Sequence, residues 1–255
     1  MNKTVYLEAE TCSDCNEKIG FIKIKNPPVN SLSISLVDNL NSIIDNVSED
    51  IKVLVFCAEG KGFCAGADLR ERASMDSAET IKVVDSYKML FNKLADIPCP
   101  TIAAIHGYAL GGGLELALAC DFRFSTVDAV FGFPETSLGI IPGAGGTQRF
   151  SRLVGLSKAK KWIFTADKFS AKEALEDSAI DGVFDSPELM MNYIKKLTCR
   201  IVRNSQKAIS LSKKAINYAS ESLLEEGLLF ERKQYLMTLD SPDRIKFLEK
   251  IKNKK

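Results

Sequence analysis

The sequence holds one histidine and one tryptophan in 255 residues. A single histidine, His106, leaves no His-based metal cluster to assemble and makes any Ser/His/Asp triad depend on it alone. It follows the apolar run TIAAI and precedes Gly107, the place of a hydrogen-bonded packing residue at a strand end, and no positioned nucleophile accompanies it. An excess of charge is missing too: 34 Lys and Arg face 33 Asp and Glu. No global field therefore marks a nucleic-acid or membrane binder. No uncharged apolar run is long enough to span a bilayer, and the start MNKTVYLEAE carries a glutamate where a signal peptide needs its apolar centre. A cytoplasmic or similarly reducing compartment is the expectation.

Cysteine is scattered rather than patterned, with seven at 12, 15, 57, 64, 99, 120 and 199. Cys12 and Cys15 make one CxxC, yet no second pair and no nearby histidine completes a zinc site. A redox motif of that spacing belongs at a strand-to-helix junction, and this one precedes a strand. The other cysteines read as small buried side chains. No metal or redox cofactor is expected.

What is present is an ordinary globular composition, 45% hydrophobic and 26% charged. The length suits one large domain or one domain with a helical annex. IGFIKIK, residues 19–25, alternates apolar and polar as a half-buried strand does, and Pro27 and Pro28 end it. SLSISLVDNLNSIIDNV then spaces leucines and isoleucines for a helix. VLVFC (53–57) and TIAAI (101–105) read as buried strands. Between them an amphipathic helix runs from Ser77 to about Ala95, stopped by Pro98 and Pro100. Ser170 is a good N-cap for the helix after it, and from Pro187 nearly everything reads helical. Strands alternating with helices predict an α/β architecture with covered sheets. The expected division is a core over 1–200 and a helical region over 201–255.

HGYALGGGLELALACD, residues 106–121, carries the first chemical signal. Glycine in a helix costs about 1 kcal/mol against alanine, so three together suit a helix start that something must approach closely. Such a start presents unpaired N–H groups and partial positive charge, which suits a developing oxyanion. For the glycines alone a tight strand-to-helix turn is the simpler account. Glu115 adds weight, because Leu114, Leu116, Ala117, Leu118 and Ala119 surround it in a helix that reads as buried. A buried carboxylate is costly unless paired or used, so Glu115 is a salt-bridged core residue, a subunit contact, or an acid or base in a dry cleft. Glu135, flanked by Phe131, Phe133 and Pro134, is a second carboxylate in apolar surroundings. Twenty residues separate the two, so only the fold can align them. Paired carboxylates of this kind suit general acid/base work, since burial lifts a pKa towards neutrality.

CAEGKGFCAGADLRER (57–72), PTIAAIHGYALGGGLELALACD (100–121) and FGFPETSLGIIPGAGGTQR (131–149), in this order and spacing, resemble the crotonase superfamily, most closely its enoyl-CoA hydratases. GADLRERASM and GGGLELALACDFR also resemble the methylglutaconyl-CoA hydratase branch. The resemblance implies a core spiral of repeated ββα turns, with a C-terminal helical region that builds trimers, often paired into hexamers. It implies that Ala67 and Gly112 give the two backbone N–H donors of an oxyanion hole for a CoA thioester. Ala65, Asp68, Leu69 and Arg70 fall where the family lines its CoA pocket. Glu115 and Glu135 match the two catalytic glutamates, which hold one water against the double bond. CoA enters only as part of the substrate, and the implied setting is fatty-acid metabolism. A tail phenylalanine and lysine, approximately Phe247 and Lys250, lie in the family near the CoA of their own or a neighbouring subunit.

In the family, isomerases that shift a double bond usually keep only the glutamate at the position of Glu135, so the presence of both favours water addition. A Δ3,Δ2-enoyl-CoA isomerase or a methylglutaconyl-CoA hydratase is the alternative, because two glutamates can also move protons between C2 and C4. Some relatives bind RNA through a lysine-rich helix after the first strand. The matching stretch, SLSISLVDNLNSIIDNVSED, has four acidic residues and no Lys or Arg, which opposes phosphate binding. A non-catalytic scaffold is the reading from another class, and the acid pair argues against it. GAGGTQR reads as a tight helix start supporting Glu135. Arg149 reads as a structural ion-pair partner, because arginine cannot act as a base. The basic tail RIKFLEKIKNKK reads as a solvated terminal helix.

Overall fold

The structure, a computed structural model, describes residues 4–12 and 16–253 and alternates strands with helices. Cys15, half of the CxxC, lies outside the described residues. The strands in chain order are β1 (Val5–Thr11), β2 (Lys18–Ile24), β3 (Ile51–Ala58), β4 (Thr101–Ile105), β5 (Tyr108–Leu110), β6 (Phe122–Thr126), β7 (Val130–Gly132), β8 (Phe169–Ser170) and β9 (Gly182–Phe184). The helices are α1 (Ile34–Asp45), α2 (Leu69–Ala73), α3 (Ser77–Asp96), α4 (Gly112–Leu118), α5 (Gly146–Val154), α6 (Leu156–Thr165), α7 (Ala171–Glu176), α8 (Pro187–Val202), α9 (Gln206–Ala219), α10 (Leu224–Leu236) and α11 (Pro242–Lys252). Local chemistry sets several starts. Ser33 caps α1, Asp76 and Glu79 form a capping box on α3, and Ser170 with Glu173 forms another on α7.

An antiparallel β1–β2 hairpin is extended in parallel by the other long strands, giving the order β1-β2-β3-β4-β6-β9. The short strands make a second sheet, β5-β7-β8. Each turn of chain gives a strand to the large sheet, a short one to the small sheet, then helix. β4, β5 and α4 are one such turn; β6, β7, the 3-10 turn Pro134–Leu138 and α5 are the next. Single bridges continue the winding into earlier turns, Leu32 with Ala67 and Cys64 with Ala109. This is the ββα spiral of a crotonase-like fold.

β2 departs from the half-buried strand expected there, because Ile19, Gly20, Phe21 and Ile22 are all buried. Ile19 and Phe21 join Val53, Val55, Met190 and Ile194 beneath α8, whereas Ile22 and Ile24 join the main core on the other face. The period-two pattern assigns one face to water, but α8 covers it. Lys23 escapes by reaching Glu8 on β1 at 2.6 Å. Each fully buried side chain of this size stabilises the fold by roughly 1.5–3 kcal/mol.

α8 is the last helix seated on the large sheet. α9 buries only Leu211, and α10 and α11 bury none of their residues. Leu223, Leu224, Leu229, Phe247 and Ile251 lie exposed on this arm. Among the described residues no helix is long and apolar enough to cross a membrane.

Candidate active site

The loop after β3 is stitched to its neighbours on both sides. Leu32 N donates to Gly66 O at 2.7 Å and Asp68 N to Leu32 O at 3.4 Å, which leaves the amide between them, on Ala67, turned away from that partner. Leu110 N donates to Cys64 O at 3.0 Å from the other side. These bonds set Ala67 beside the start of α4. A Cβ built on Gly66 would lie 3.2 Å from Gly112 N, and one built on Gly112 would lie 3.7 Å from Ala67 N. Among the described residues neither the Ala67 nor the Gly112 N–H has an acceptor. Gly112 opens α4, where the amide has no intrahelical partner and the helix end is partly positive. Two donors at one spot can hold a developing oxyanion.

The glycine triplet serves close approach as well as turning. Gly111 has φ +51°, in the left-handed region, and a Cβ there would stand 2.8 Å from Glu135 Oε1. A Cβ on Gly113 would stand 2.3 Å from Cys64 O, so the loop carrying Ala67 can rest on α4 only where that residue is glycine.

Glu115 is 3% exposed on α4. Its Oε1 accepts from Ala144 N at 2.8 Å and Gly146 N at 2.7 Å, amides of the glycine-rich turn that leads into α5. Burial raises its pKa, while those two hydrogen bonds and the charge of Arg149 pull the other way. Glu135 points inward from the 3-10 turn, whose first position is Pro134 and whose end is Gly139 at φ +75°. Among the described residues its buried Oε2 has no hydrogen-bond partner. Burial first, and then the charge of Glu115, push its pKa up to about 7. The charge of Glu115 thus reaches Glu135, whose Oε1 stands 2.8 Å from a Cβ built on Gly111 at the start of α4; Glu115 is braced by those amides and Glu135 is not.

Arg149 makes hydrogen bonds rather than the ion pair expected of it. Nη1 donates to Ala144 O at 3.1 Å and Nη2 to Asn92 Oδ1 at 2.6 Å, so it straps the turn that holds Glu115. His106 is the hydrogen-bonded packing residue expected, its Nε2 3.1 Å from Gly60 O. Asp68 caps α2, accepting from Arg70 N and Glu71 N and from Ser31 Oγ at 2.7 Å. The Ser31 bond leads in holding its carboxyl below the usual range. Leu69 and Arg70 project exposed from that short helix, and Ala65 and Ala67 are half-buried in the loop before it.

Phe247 and Lys250 are not brought to these residues within the chain. They line a groove with Glu17 and Lys52, beside the N-terminal ends of β2 and β3, whereas Ala67 follows the C-terminal end of β3. Sequence reasoning passed over Ala144 and Gly146, whose contribution is main-chain N–H. It also passed over Asn30, buried at φ +54°, whose Nδ2 donates to Glu59 O and Gly62 O at 2.8 Å each. The Tyr87 hydroxyl, donating to Leu32 O, ties α3 to the same loop.

Comparison with known proteins agrees with this fold. A family model described as enoyl-CoA hydratase/isomerase matches residues 14–254. The human mitochondrial methylglutaconyl-CoA hydratase is 42% identical over 232 residues, covering 89% of this chain and 68% of that one. The short-chain-enoyl-CoA hydratase of Clostridium acetobutylicum is 39% identical over 243 residues, covering 92% and 93%. A crystal structure of an enoyl-CoA hydratase from Bacillus anthracis superposes with a TM-score of 0.91 at 35% identity, covering 99% of this chain and 97% of that one. With the spiral, the paired amides and both glutamates in the matched span, the chain belongs to the enoyl-CoA hydratase/isomerase family of the crotonase superfamily.

Proposed function

We propose that the protein adds water across the C2=C3 double bond of a 2-enoyl-CoA thioester to give a 3-hydroxyacyl-CoA. The observation that carries this is two buried glutamates meeting at α4. Glu115 lies on the helix, its Oε1 braced by two amides. Glu135 has its Oε1 2.8 Å from a Cβ built on Gly111 and its Oε2 without a partner among the described residues. The Ala67 and Gly112 amides hold the thioester oxygen as it takes up charge, and losing one such donor costs about 2.7–4 kcal/mol. Ionised Glu115 takes a proton from the water as its oxygen bonds to C3. Protonated Glu135, with its pKa near neutrality, delivers a proton to C2. The reaction starts with the proton on Glu135 and ends with it on Glu115, so the singly protonated pair is active in both directions. Only protons and one C–O bond move, a sequence that asks for no metal or redox group. CoA serves as the handle of the substrate.

Exposed Leu69 and Arg70 suit the rim where the CoA enters, with Arg70 offering charge to its phosphates. Asp68 supports that rim by capping α2, and Ala65 lines its floor. The apolar residues exposed on α10 and α11 suit self-association into a homotrimer or hexamer, which would carry Phe247 and Lys250 to a neighbour's CoA. α1 carries Asp38 and Asp45 and no cation, which speaks against RNA as a partner.

Relatives named as short-chain-enoyl-CoA and methylglutaconyl-CoA hydratases make small acyl groups the first to try. The test is loss of conjugated-thioester absorbance with crotonyl-CoA and 3-methylglutaconyl-CoA, in wild type, Glu115→Gln and Glu135→Gln. Hydration abolished by both variants supports the proposal. Turnover of a 3-enoyl-CoA that survives Glu115→Gln, without hydration, makes the protein an isomerase. No turnover of any acyl-CoA by folded protein makes it a scaffold.

A further inference from the structure

The hairpin end of the large sheet holds a second chemical feature, remote from the glutamates. Cys12 follows β1 directly, and its N–H donates to Glu17 O at 2.8 Å, closing the turn into β2. Its side chain is 4% exposed and belongs to the cluster beneath α8. Cys199, half-buried in the last turn of α8, packs against that same cluster. The two sulfurs lie 2.6 Å apart, although 187 positions separate them in the chain. A disulfide bond is about 2.05 Å long, so closure asks for little movement. A second link already fixes α8 against β1 here. Lys195, one helical turn before Cys199, pairs with Glu10 on β1 at 2.7 Å and lies over the Phe21 ring.

We propose that Cys12 and Cys199 are a modification site, closing to a reversible disulfide that fastens the β1–β2 hairpin to α8 when the protein meets a disulfide oxidant. The more accessible Cys199 thiolate attacks one sulfur of glutathione disulfide and releases one glutathione thiolate. The Cys12 thiolate then attacks the Cys199 sulfur of the mixed disulfide and releases the second glutathione. Two protein thiols are oxidised, one glutathione disulfide is reduced to two glutathione thiols, and the two protons lost by the protein thiols pass through solvent to the departing glutathione thiolates. The pair sits at the N-terminal end of β2, away from the loops that carry Ala67 and Glu135, so closure leaves catalysis alone. It joins two segments far apart in sequence, so it restrains the unfolded chain.

The experiment treats the full-length chain, as wild type and as Cys15→Ser, with glutathione disulfide and digests it with trypsin without reduction. The expected result in both is peptide 4–18 linked to peptide 197–200. A rise of several degrees in melting temperature should accompany the link and be reversed by dithiothreitol. Cys12→Ala and Cys199→Ala should each lose the link and the rise while keeping acyl-CoA turnover. Peptide 197–200 recovered unmodified or carrying glutathione overturns the proposal, as does a Cys12–Cys15 link in wild type. A link that forms without any thermal shift refutes its role as a fastener.

Discussion

The carboxylate of Glu135 occupies the space that a side chain on Gly111 would fill, with Oε1 2.8 Å from the missing Cβ. The first of three glycines is thus tied to an acid 24 residues later in the chain. Gly111→Ala should fold, because the collision is with the end of a side chain and backbone strain at φ +51°, ψ −124° costs an L-residue roughly 1–3 kcal/mol. Its Glu135 carboxyl must shift, and under the proposed reaction a misplacement of about 1 Å from C2 can cost roughly 100-fold in rate. Steady-state hydration should show that loss in kcat with a small change in KM. A wild-type kcat would remove Glu135 from its place against α4.

Glu135 also links stability to pH. Its folded pKa of about 7 stands above the ordinary 4.5. The carboxyl is therefore tolerated without penalty below pH 4.5, and the cost of ionising it in the fold grows as pH rises through 7. A separation of that size corresponds to roughly 3 kcal/mol. Glu135→Gln cannot ionise. It should match wild type in acid and exceed its melting temperature above neutrality, as scanning calorimetry across that range can read. A stability gap that is constant with pH would contradict the burial of this carboxyl.

Catalysis should follow the same pair. One proton must remain between the glutamates, so kcat/KM falls in alkali as Glu135 ionises near 7 and falls in acid as Glu115 protonates. Arg149 lowers the Glu115 pKa by its charge and also holds Ala144 O. Arg149→Met should move the acid limb to higher pH and slow turnover. Arg149→Lys should slow turnover while leaving that limb in place. Profiles of the two variants that coincide would mean that only the strap matters.

Much of this site could be read from the chain because its signals are side chains in the wrong company. A lone carboxylate in LELALA announces itself, and so does one that directly follows phenylalanine and proline. The N–H donors have no such signature. Ala67 looks like any alanine in a loop, and only resemblance to a family singled it out. Ala144 and Gly146 act through the main chain on a glutamate 29 and 31 residues earlier, a relation set by where α5 begins. The small sheet was illegible for another reason. Its strands are two or three residues long, too short for any period to show. β2 was misread because the helix that covers its second face arrives some 160 residues later, on β3, β6 and β9.

Asn30 offers a test of how the loop carrying Ala67 is held. It is 3% exposed at φ +54°, accepts from Asn26 N at 2.7 Å, and donates to the carbonyls of Glu59 and Gly62 at 2.8 Å. Asn30→Ala leaves both carbonyls unpaired and should cost about 1–3 kcal/mol by urea unfolding. Asn30→Asp keeps the shape but turns a donor into an acceptor facing two carbonyls. Burial and those dipoles raise the pKa of the new carboxyl, so its protonated form is the one the fold tolerates. Stability relative to wild type should therefore fall as pH rises from acid to neutral and recover on acidification, whereas the Asn30→Ala deficit stays level. Both variants let the Ala67 amide drift from Gly112 N–H, so both should lose kcat for hydration beyond what partial unfolding explains. An Asn30→Asp protein as stable and active as wild type at neutral pH would show that the loop is held by its backbone bonds to Leu32 and Leu110 alone.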